Sequence, residues 1–468
     1  MNPRMLRCVA VLTVAVLVAA ACGGAATPSA EGTAAPTAAA TAAPTAAATA
    51  APTAAATAAA TAAPTPTPDA RTVDLTFMNW YYGPGDQESY DAIIANYKQK
   101  DPRVKNVVIE VQPYERYNDV LNVKLSGNHP PDIAWIDLSV SRQFVESGRL
   151  KDLRPTLESI PGWDIADWTP ASLTAWSKGD AIYALPFTNA TNVVWYNKDA
   201  FKKAGIPTPD EMVAAGTWTW ENLKTTAKAL KDSGAVRYGF NLQNGIFVPF
   251  YGWANLIEPW NAYGGAPWSA DGKTCTLDSP ETVEATQLMY DMIYKDESHP
   301  GPGVDVTFAT GDIGMALTRP DTDMSSAAFE WGVVSQPDGP KGYVPSVAQN
   351  GLAAFDGPNA DIAALLVADM LSKENMEQYP VFPPGNRKSL HTPELLLKSV
   401  PAFTPEQVTA TVIKAFSSPN QVLEYNHANF APIATTLSKH FDSELWKPGA
   451  DVPAVLRNAC ENIKDLLG

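Results

Sequence analysis

The sequence predicts an α/β fold for residues 69–468, and the prediction rests on two features of its pattern. Short runs rich in β-branched and aromatic residues alternate with stretches whose apolar residues recur at helical spacing. Between residues 73 and 145 the alternation reads strand, helix, strand, helix, strand. Because such crossovers are right-handed, we expect these strands to be parallel and a ligand to lie beyond their carboxyl ends.

The elements of this first unit can be placed one by one. The strands are predicted at Val73 to Trp80, Val107 to Val111 and Ile133 to Ile136, the last of them followed by Asp137. The helices are predicted from apolar faces at Tyr90, Ile93, Ile94 and Tyr97, at Val120, Leu121 and Leu125, and at Phe144 and Val145.

A second unit of strands and helices follows. Ser279, Pro280 and Glu281 have the composition of a helix start, with an N-cap, a proline in the first turn and an acidic residue near the positive end of the helix dipole. The stretch from Ala181 to Tyr196 is apolar and β-branched, which predicts a strand that passes from one unit to the other. We place that passage near Phe187 to Ala190.

The first 21 residues are typical of a signal peptide. Arg4 and Arg7 precede an apolar run from Cys8 to Cys22 that is shorter than a membrane-spanning helix. Small residues stand before Cys22, which resembles a bacterial lipoprotein cleavage site at which the cysteine is lipidated. The third residue before it is Ala19 where leucine is usual, so cleavage after Ala21 with release of the protein stays an alternative, as does an uncleaved anchor helix.

Residues 22–68 form a separate segment of Ala, Pro and Thr repeats. Glu31 is its only charged residue, and it contains no aromatic side chain that could build a core. Frequent proline prevents a continuous helix, so this composition predicts an extended tether between the lipidated cysteine and residues 69–468.

Charge and motifs exclude several functional classes. The chain has 34 basic and 50 acidic residues and a net charge of −16, which argues against a nucleic-acid partner. No metal-binding, nucleotide-binding or serine-hydrolase motif is present, so no metal or cofactor is predicted. Two carboxylates of a glycosidase could still be hidden in such a sequence.

Cys275 and Cys460 could form a disulfide outside the cytoplasm or stay separate thiols.

Several segments between Val73 and Leu467 resemble the sugar-binding solute-binding proteins of ABC importers, the family related to maltose-binding protein. The resemblance rests on the order and spacing of segments that are individually weak. They are Leu185-Pro186-Phe187, the run from Val193 to Phe201, Ala204-Gly205, Thr217-Trp218, Gly264-Gly265, Asp271-Gly272-Lys273, the run from Leu277 to Glu281, and Phe308 with Gly311 and Met315.

The resemblance implies a periplasmic-binding-protein-like (type II) fold, in which two lobes joined by hinge strands hold the ligand in a cleft between them. The first lobe would comprise about 73–187 and 308–345, and the second about 190–305 and 350–468. The implied function is non-catalytic: an extracytoplasmic, lipid-anchored monomer would deliver a mono- or oligosaccharide to the transmembrane permease subunits. An extracytoplasmic carbohydrate-active enzyme and a receptor for another solute, such as a polyol phosphate, are the alternatives.

A sugar site needs aromatic surfaces for the apolar faces of the rings and fixed polar groups for the hydroxyls. Candidates in the first unit and at the crossing stand at or beyond strand ends. They are Trp80, Tyr82, Tyr114, Asp137, Thr188 and Asn189. For Asp137 the alternative is a helix N-cap, and for Trp80 a buried strand end.

The later candidates come from the second unit and the C-terminal region. Trp253 is the preferred stacking residue, although tryptophans at helical spacing more often belong to a core. The family commonly has Gly-Pro-Trp after the position of Met315, whereas this chain has Thr318-Arg319-Pro320, which makes Arg319 a candidate. Gln349, Asn350 and Arg387 complete the set.

Overall fold

The computed structural model describes residues 71–80, 85–242, 252–379 and 385–468. The signal peptide, Cys22, the tether and Tyr82 lie outside these ranges. Residues 68–468 form one compact unit. None of the helices in the described ranges has the length and apolar character that crossing a membrane would require.

Strands and helices alternate along most of the described chain. The strands are β1 (Val73–Trp80), β2 (Val104–Gln112), β3 (Ile133–Asp137), β4 (Ser177–Lys178), β5 (Ala181–Ile182), β6 (Leu185–Ala190), β7 (Val193–Asn197), β8 (Tyr238–Leu242), β9 (Ile313–Thr318), β10 (Trp331–Val334), β11 (Ser346–Ala354) and β12 (Val422–Leu423). The helices are α1 (Asp86–Lys100), α2 (Tyr114–Ser126), α3 (Ser141–Glu146), α4 (Arg154–Ser159), α5 (Pro170–Leu173), α6 (Lys198–Ala204), α7 (Pro209–Ala214), α8 (Trp220–Asp232), α9 (Ile257–Tyr263), α10 (Pro280–Tyr294), α11 (Ala360–Met370), α12 (Lys373–Gln378), α13 (Pro393–Leu396), α14 (Pro405–Val408), α15 (Lys414–Phe416), α16 (Phe430–His440) and α17 (Val452–Ile463).

In the first sheet β11, β3, β1 and β2 are neighbours in that order, and β12 and β6 also pair with β11. β1 is parallel to both β2 and β3, which confirms the predicted parallel arrangement of the first three strands. β11 runs antiparallel to β3 and to β6. The carboxyl ends of β1, β2 and β3 therefore lie at one edge, where β11 brings in the beginning of its own strand.

The second sheet has the order β10-β7-β9-β8 and is covered on both faces. Alternate residues of β7 point to opposite faces, as in any strand. Val194 and Tyr196 pack into one apolar core, whereas Val193 and Trp195 pack into another. The chain passes from the first sheet to the second at Thr191 and Asn192, directly after the place predicted for it.

The lobe boundaries differ from those expected in the second half of the chain. β9 and β10, within 308–345, pair with β7 in the second sheet, not with the first lobe. β11 pairs with β3, and α11 packs in the core of the first sheet, although both were expected in the second lobe. The local pattern of an apolar strand is the same in either sheet, so it could not identify these partners.

Cys275 and Cys460 form a disulfide, which the sequence left open. It joins α17 to the segment that leads into α10, and both cysteines pack against the core of the second lobe. Ser279 caps α10 by accepting a hydrogen bond from the backbone of Thr282, as its position before Pro280 predicted.

Candidate functional site

Asp137 ends β3 at the edge where the carboxyl ends of the parallel strands meet. One carboxylate oxygen, Oδ1, accepts a hydrogen bond from the backbone N–H of Ser139 at 2.9 Å and caps the short 3₁₀ turn Leu138–Val140. The other, Oδ2, accepts a hydrogen bond from the hydroxyl of Tyr114 at 3.3 Å. Asp137 therefore caps the turn through Oδ1, as the alternative interpretation predicted. Its other oxygen, Oδ2, faces an aromatic side chain. Its side chain is partly exposed.

Tyr114 and Trp80 lie beside each other but differ in exposure. Tyr114, the first residue of α2, is 47% exposed. Trp80 is buried, and its ring makes edge contacts with Tyr114 at 5.5 Å, Tyr117 at 4.7 Å and Trp135 at 4.8 Å between centroids. Trp80 therefore packs edge-on against Tyr114 in the buried position that was the alternative to a ligand contact.

At the beginning of β11, the ends of two other strands of the first sheet pair with it. Asn350 lies opposite Asp137 in the register of β11 with β3. Leu423 lies opposite Val347, and the next backbone N–H, that of Glu424, donates to the carbonyl of Val347 at 3.0 Å.

Glu424 and Asp137 lie on the same side of β11. Phe355 donates its N–H to the carbonyl of Asp132, on the side that β3 occupies. Val347 and Phe355 are an even number of residues apart, so their backbone groups point to the same side. Glu424, which donates to the carbonyl of Val347, therefore also lies on the side of β3. The ends of β12 and β3 are therefore neighbours, about 10 Å or less apart along β11.

Glu258 is a second carboxyl at this place, fully buried on α9 with 1% of its surface exposed. Its Oε1 accepts hydrogen bonds from Asn192 Nδ2 at 2.7 Å and from the hydroxyl of Ser346 at 2.6 Å. These partners stand at the chain's passage between the sheets and at the start of β11. The other oxygen, Oε2, is buried with no hydrogen-bond partner among the described residues.

Electrostatics set both glutamates apart from ordinary surface acids. Withdrawal from water, together with the negative charges of Glu258 and Asp137, raises the pKa of Glu424 to about 8, against the opposing effect of Arg319. Burial raises the pKa of Glu258, although the hydrogen bonds from Ser346 and Asn192 oppose the shift. The local field therefore disfavours additional negative charge.

Thr188 and Asn189 belong to a buried network of hydrogen bonds that holds β6 to β11. Thr188 Oγ1 accepts from the backbone of Asn350 at 3.0 Å, and Asn189 Oδ1 accepts from Gln349 Nε2 at 3.1 Å. Gln349 also donates to Asn386 Oδ1 at 2.9 Å. Thr188, Asn189 and Gln349 were candidate ligand contacts, and their burial with bonds to the protein itself favours a supporting role at the hinge.

Trp253 lies in the core of the second lobe with 1% of its surface exposed. Its ring is stacked on that of Tyr425 at 6.3 Å, with an interplanar angle of 7°, and lies 6.1 Å from Trp268 and from Phe430. This environment matches the interpretation of Trp253 as a core residue. It does not match the alternative, in which Trp253 stacks on a sugar. Trp218 and Trp220 are buried as well.

The two arginine candidates have acidic partners within the protein. Arg387 is buried, forms an ion pair with Asp167 at 3.2 Å, and lies over the rings of Trp163 and Trp168 at 4.9 and 4.1 Å. Arg319 follows β9, is partly exposed, and pairs with Asp321 at 2.7 Å. Arg387 therefore stabilises the first lobe, whereas Arg319 lies near enough to Glu424 to affect its pKa.

Glu258 and Glu424 were not among the residues predicted from the sequence. Glu424 follows the apolar pair Val422-Leu423, which is the signal that identified Asp137, but a strand of two residues is too short to be recognised. Glu258 is the one acid of a helix whose other residues, apart from Asn261, are apolar or aromatic, and this contrast was the available signal. Among the described residues, no group of three or more His, Cys, Asp and Glu side chains has the arrangement of a metal site.

Comparison with known proteins identifies the fold. The chain superposes on the cyclic α-maltosyl-1,6-maltose binding protein of Arthrobacter globiformis with a TM-score of 0.71 and 20% identity, covering 85% of this chain and 99% of that one. It superposes on the substrate-binding protein Lmo0181 of Listeria monocytogenes, solved with cycloalternan, with a TM-score of 0.67, 21% identity and coverages of 85% and 99%. These likenesses confirm the two-lobe type II binding-protein fold.

Sequence relatives match over shorter stretches. The arabinooligosaccharide-binding protein of Bacillus subtilis (strain 168) is 27% identical over 237 residues, which are 49% of this chain and 50% of that protein. A binding protein of Brucella abortus (strain 2308) is 30% identical over 290 residues, 58% of this chain and 65% of that protein. Both matches span less than two thirds of the relative's own length.

The family itself is identified over most of the domain. The profile described as bacterial extracellular solute-binding protein matches residues 83–377, which is more than half of the chain. This stretch contains β2, β3, α9 and β11, and with them Asp137 and Glu258. The chain therefore belongs to the bacterial extracellular solute-binding protein family.

Proposed function

We propose that this chain captures a carbohydrate between its two lobes and delivers it to the transmembrane permease of an ABC importer. The observation that carries the proposal is the pairing of Asp137 with the exposed ring of Tyr114 at the carboxyl ends of the parallel strands. An aromatic ring offers a surface for the C–H face of a sugar, and a carboxylate accepts hydrogen bonds from its hydroxyls. Asn350, directly opposite Asp137 in the sheet, adds an amide.

The relatives support a carbohydrate as the solute. One of them is named for binding arabinooligosaccharides, and one structural neighbour for binding a cyclic maltose derivative. We further propose that cleavage before Cys22 and lipidation of that residue anchor the mature chain at the outer face of the cell membrane. The Ala-Pro-Thr segment would then hold the two lobes, as a monomer, within reach of the permease.

The test is binding without turnover. Titration calorimetry of the purified chain against mono- and oligosaccharides is expected to identify at least one sugar that binds and is recovered unchanged after long incubation. Hydrolysis or transfer of that sugar would favour the carbohydrate-active enzyme instead. Failure of every sugar in the panel to bind would contradict the proposal.

A matched pair of variants links this binding to the site. Asp137→Ala is expected to weaken sugar binding about 10- to 100-fold, because hydrogen bonds to a charged acceptor contribute about 1.5 to 3 kcal/mol. Asp164 is the control, since it also caps a 3₁₀ turn, accepting from the backbone of Ala166 at 2.9 Å, but lies in another part of the first lobe. Asp164→Ala should bind sugar normally. Equal losses of affinity would show that Asp137 acts only as a cap.

A further inference from the structure

Three carboxyl groups converge where β11 begins, and they outnumber the positive charges beside them. Asp137 and Glu424 lie on the same side of β11 and are partly exposed, while Glu258 is buried against Ser346 at the start of that strand. Arg319 is the cation that lowers the pKa of Glu424. Its guanidinium already forms a bidentate ion pair with Asp321, at 2.8 and 2.7 Å. The protein therefore places more carboxyl groups here than it pairs with cations.

Buried polar atoms without partners mark the same region. Within the described ranges, neither Glu258 Oε2 nor the buried hydroxyl of Tyr425, the residue next to Glu424, has a hydrogen-bond partner. Tyr425 packs against Trp260, two residues after Glu258 on α9, with ring centroids 6.1 Å apart. A buried acceptor that no protein group satisfies is costly, so an arrangement of this kind is typical of a place completed by something that binds.

The carboxylate of Glu424 has the freedom to bind a solute. No hydrogen bond or ion pair to its side chain is found within the described ranges, although its backbone is fixed to Val347 at 3.0 Å. The neighbouring negative charges and the withdrawal from water raise the pKa of Glu424 and so favour its protonated form, a preference that an approaching cation would reverse. A cation here would be attracted by Asp137 and by each glutamate that it causes to ionise, whereas a phosphate would gain no such attraction.

We propose that the solute of this cleft carries a protonated amine beside its hydroxyl groups, and that the amine lies between Asp137 and Glu424 with Glu258 behind them. This inference rests on the proposed function, because it names the chemical class of solute that the same cleft would take. Amino sugars are the members of that class that also fit the ring of Tyr114. The proposal disfavours polyol phosphates, which were the non-sugar alternative.

Matched pairs of sugars test the charge directly. Calorimetry of the full chain would compare D-glucosamine with D-glucose, D-galactosamine with D-galactose, and the β-1,4-linked glucosamine trimer with cellotriose. The N-acetylated counterparts keep the nitrogen but lose the charge. We expect the amine to bind at least tenfold tighter than the neutral partner in at least one pair, and the N-acetyl form to lose that advantage.

Variants of the carboxyls provide the second measurement. Glu424→Gln, which keeps the shape of the side chain, should weaken amine binding about tenfold or more and change the affinity for the neutral partner less than about threefold. Glu377→Gln, on the exposed surface of α12, is the control and should leave both affinities unchanged. If Glu424→Gln fails to fold, Asp137→Asn keeps an oxygen for the cap and serves instead.

The outcomes separate this inference from the proposed function. Neutral sugars that bind as tightly as their amines, or equal losses for both in Glu424→Gln, would overturn the inference and leave the proposed function intact. Tight binding of neutral sugars with no binding of any amine would do the same. If neither kind binds, both the inference and the proposed function are contradicted.

Discussion

Replacing Trp253 by alanine is expected to lower the free energy of unfolding by about 3 to 5 kcal/mol. The indole is buried among the rings of Trp260, Trp268, Tyr425 and Phe430, so the substitution would leave a cavity that these rigid neighbours could fill only in part. Urea denaturation followed by far-ultraviolet circular dichroism measures the loss.

Two further substitutions show whether burial is the cause. Trp253→Phe fills most of the space and loses no hydrogen bond, because the indole N–H has no partner among the described residues, so its cost should be clearly smaller. Trp331→Ala removes a partly exposed indole at the start of β10 and should also cost less. If Trp253→Ala were stable to within about 1 kcal/mol of the parent yet bound no sugar, Trp253 would be a cleft residue after all.

The disulfide is expected to contribute almost as much to stability. Cys275 and Cys460 are 185 residues apart in sequence, and a cross-link that closes so long a loop restricts the unfolded chain strongly. Replacing both cysteines by serine should lower the free energy of unfolding by about 2 to 5 kcal/mol. Thermal melting of the parent with and without reductant, beside the double variant, measures the effect.

The double variant also serves as the control for the reductant. Reductant should lower the melting temperature of the parent toward that of the variant and leave the variant unchanged. A parent that melts at the same temperature in both conditions would show that this bond adds no stability, despite its place between α17 and the core of the second lobe.

Local elements could be predicted from the sequence because their signals are local. β1 has the bounds predicted for it, and Ser279 caps α10 as its position before Pro280 indicated. The passage of the chain between lobes was placed within a few residues, since it lies inside the apolar and β-branched stretch from Ala181 to Tyr196. Each of these features depends on neighbours in sequence.

The assignment of later strands to lobes could not be predicted in this way. β9 is buried throughout because the second sheet is covered on both faces, and the same pattern would suit a buried strand of the first sheet. Only its pairing with β7 and β8 decides the matter, and those partners are far away in sequence. The expected lobe boundaries came from the resemblance to a family, whose motifs mark positions along the chain and not pairings.

The candidate site was predictable only where its residues carry a signal in the local sequence. Asp137 and Tyr114 follow strands and were identified by that rule, whereas Glu258 and Glu424 reach the site through α9 and the start of β11. Trp253 and Arg387 have the residue types of sugar contacts, but their burial depends on rings and carboxyls distant in sequence, including Tyr425 and Asp167. Residue type alone does not separate a core from a cleft.

Small-angle X-ray scattering of the chain with a bound sugar tests the central claim most directly, that one solute is held between both lobes. Because the two sheets are joined at Thr191 and Asn192, and again between β10 and β11, solute held from both sides should draw the lobes together. We expect a smaller radius of gyration when calorimetry shows the same sample to be saturated. An unchanged radius at verified saturation would contradict the claim.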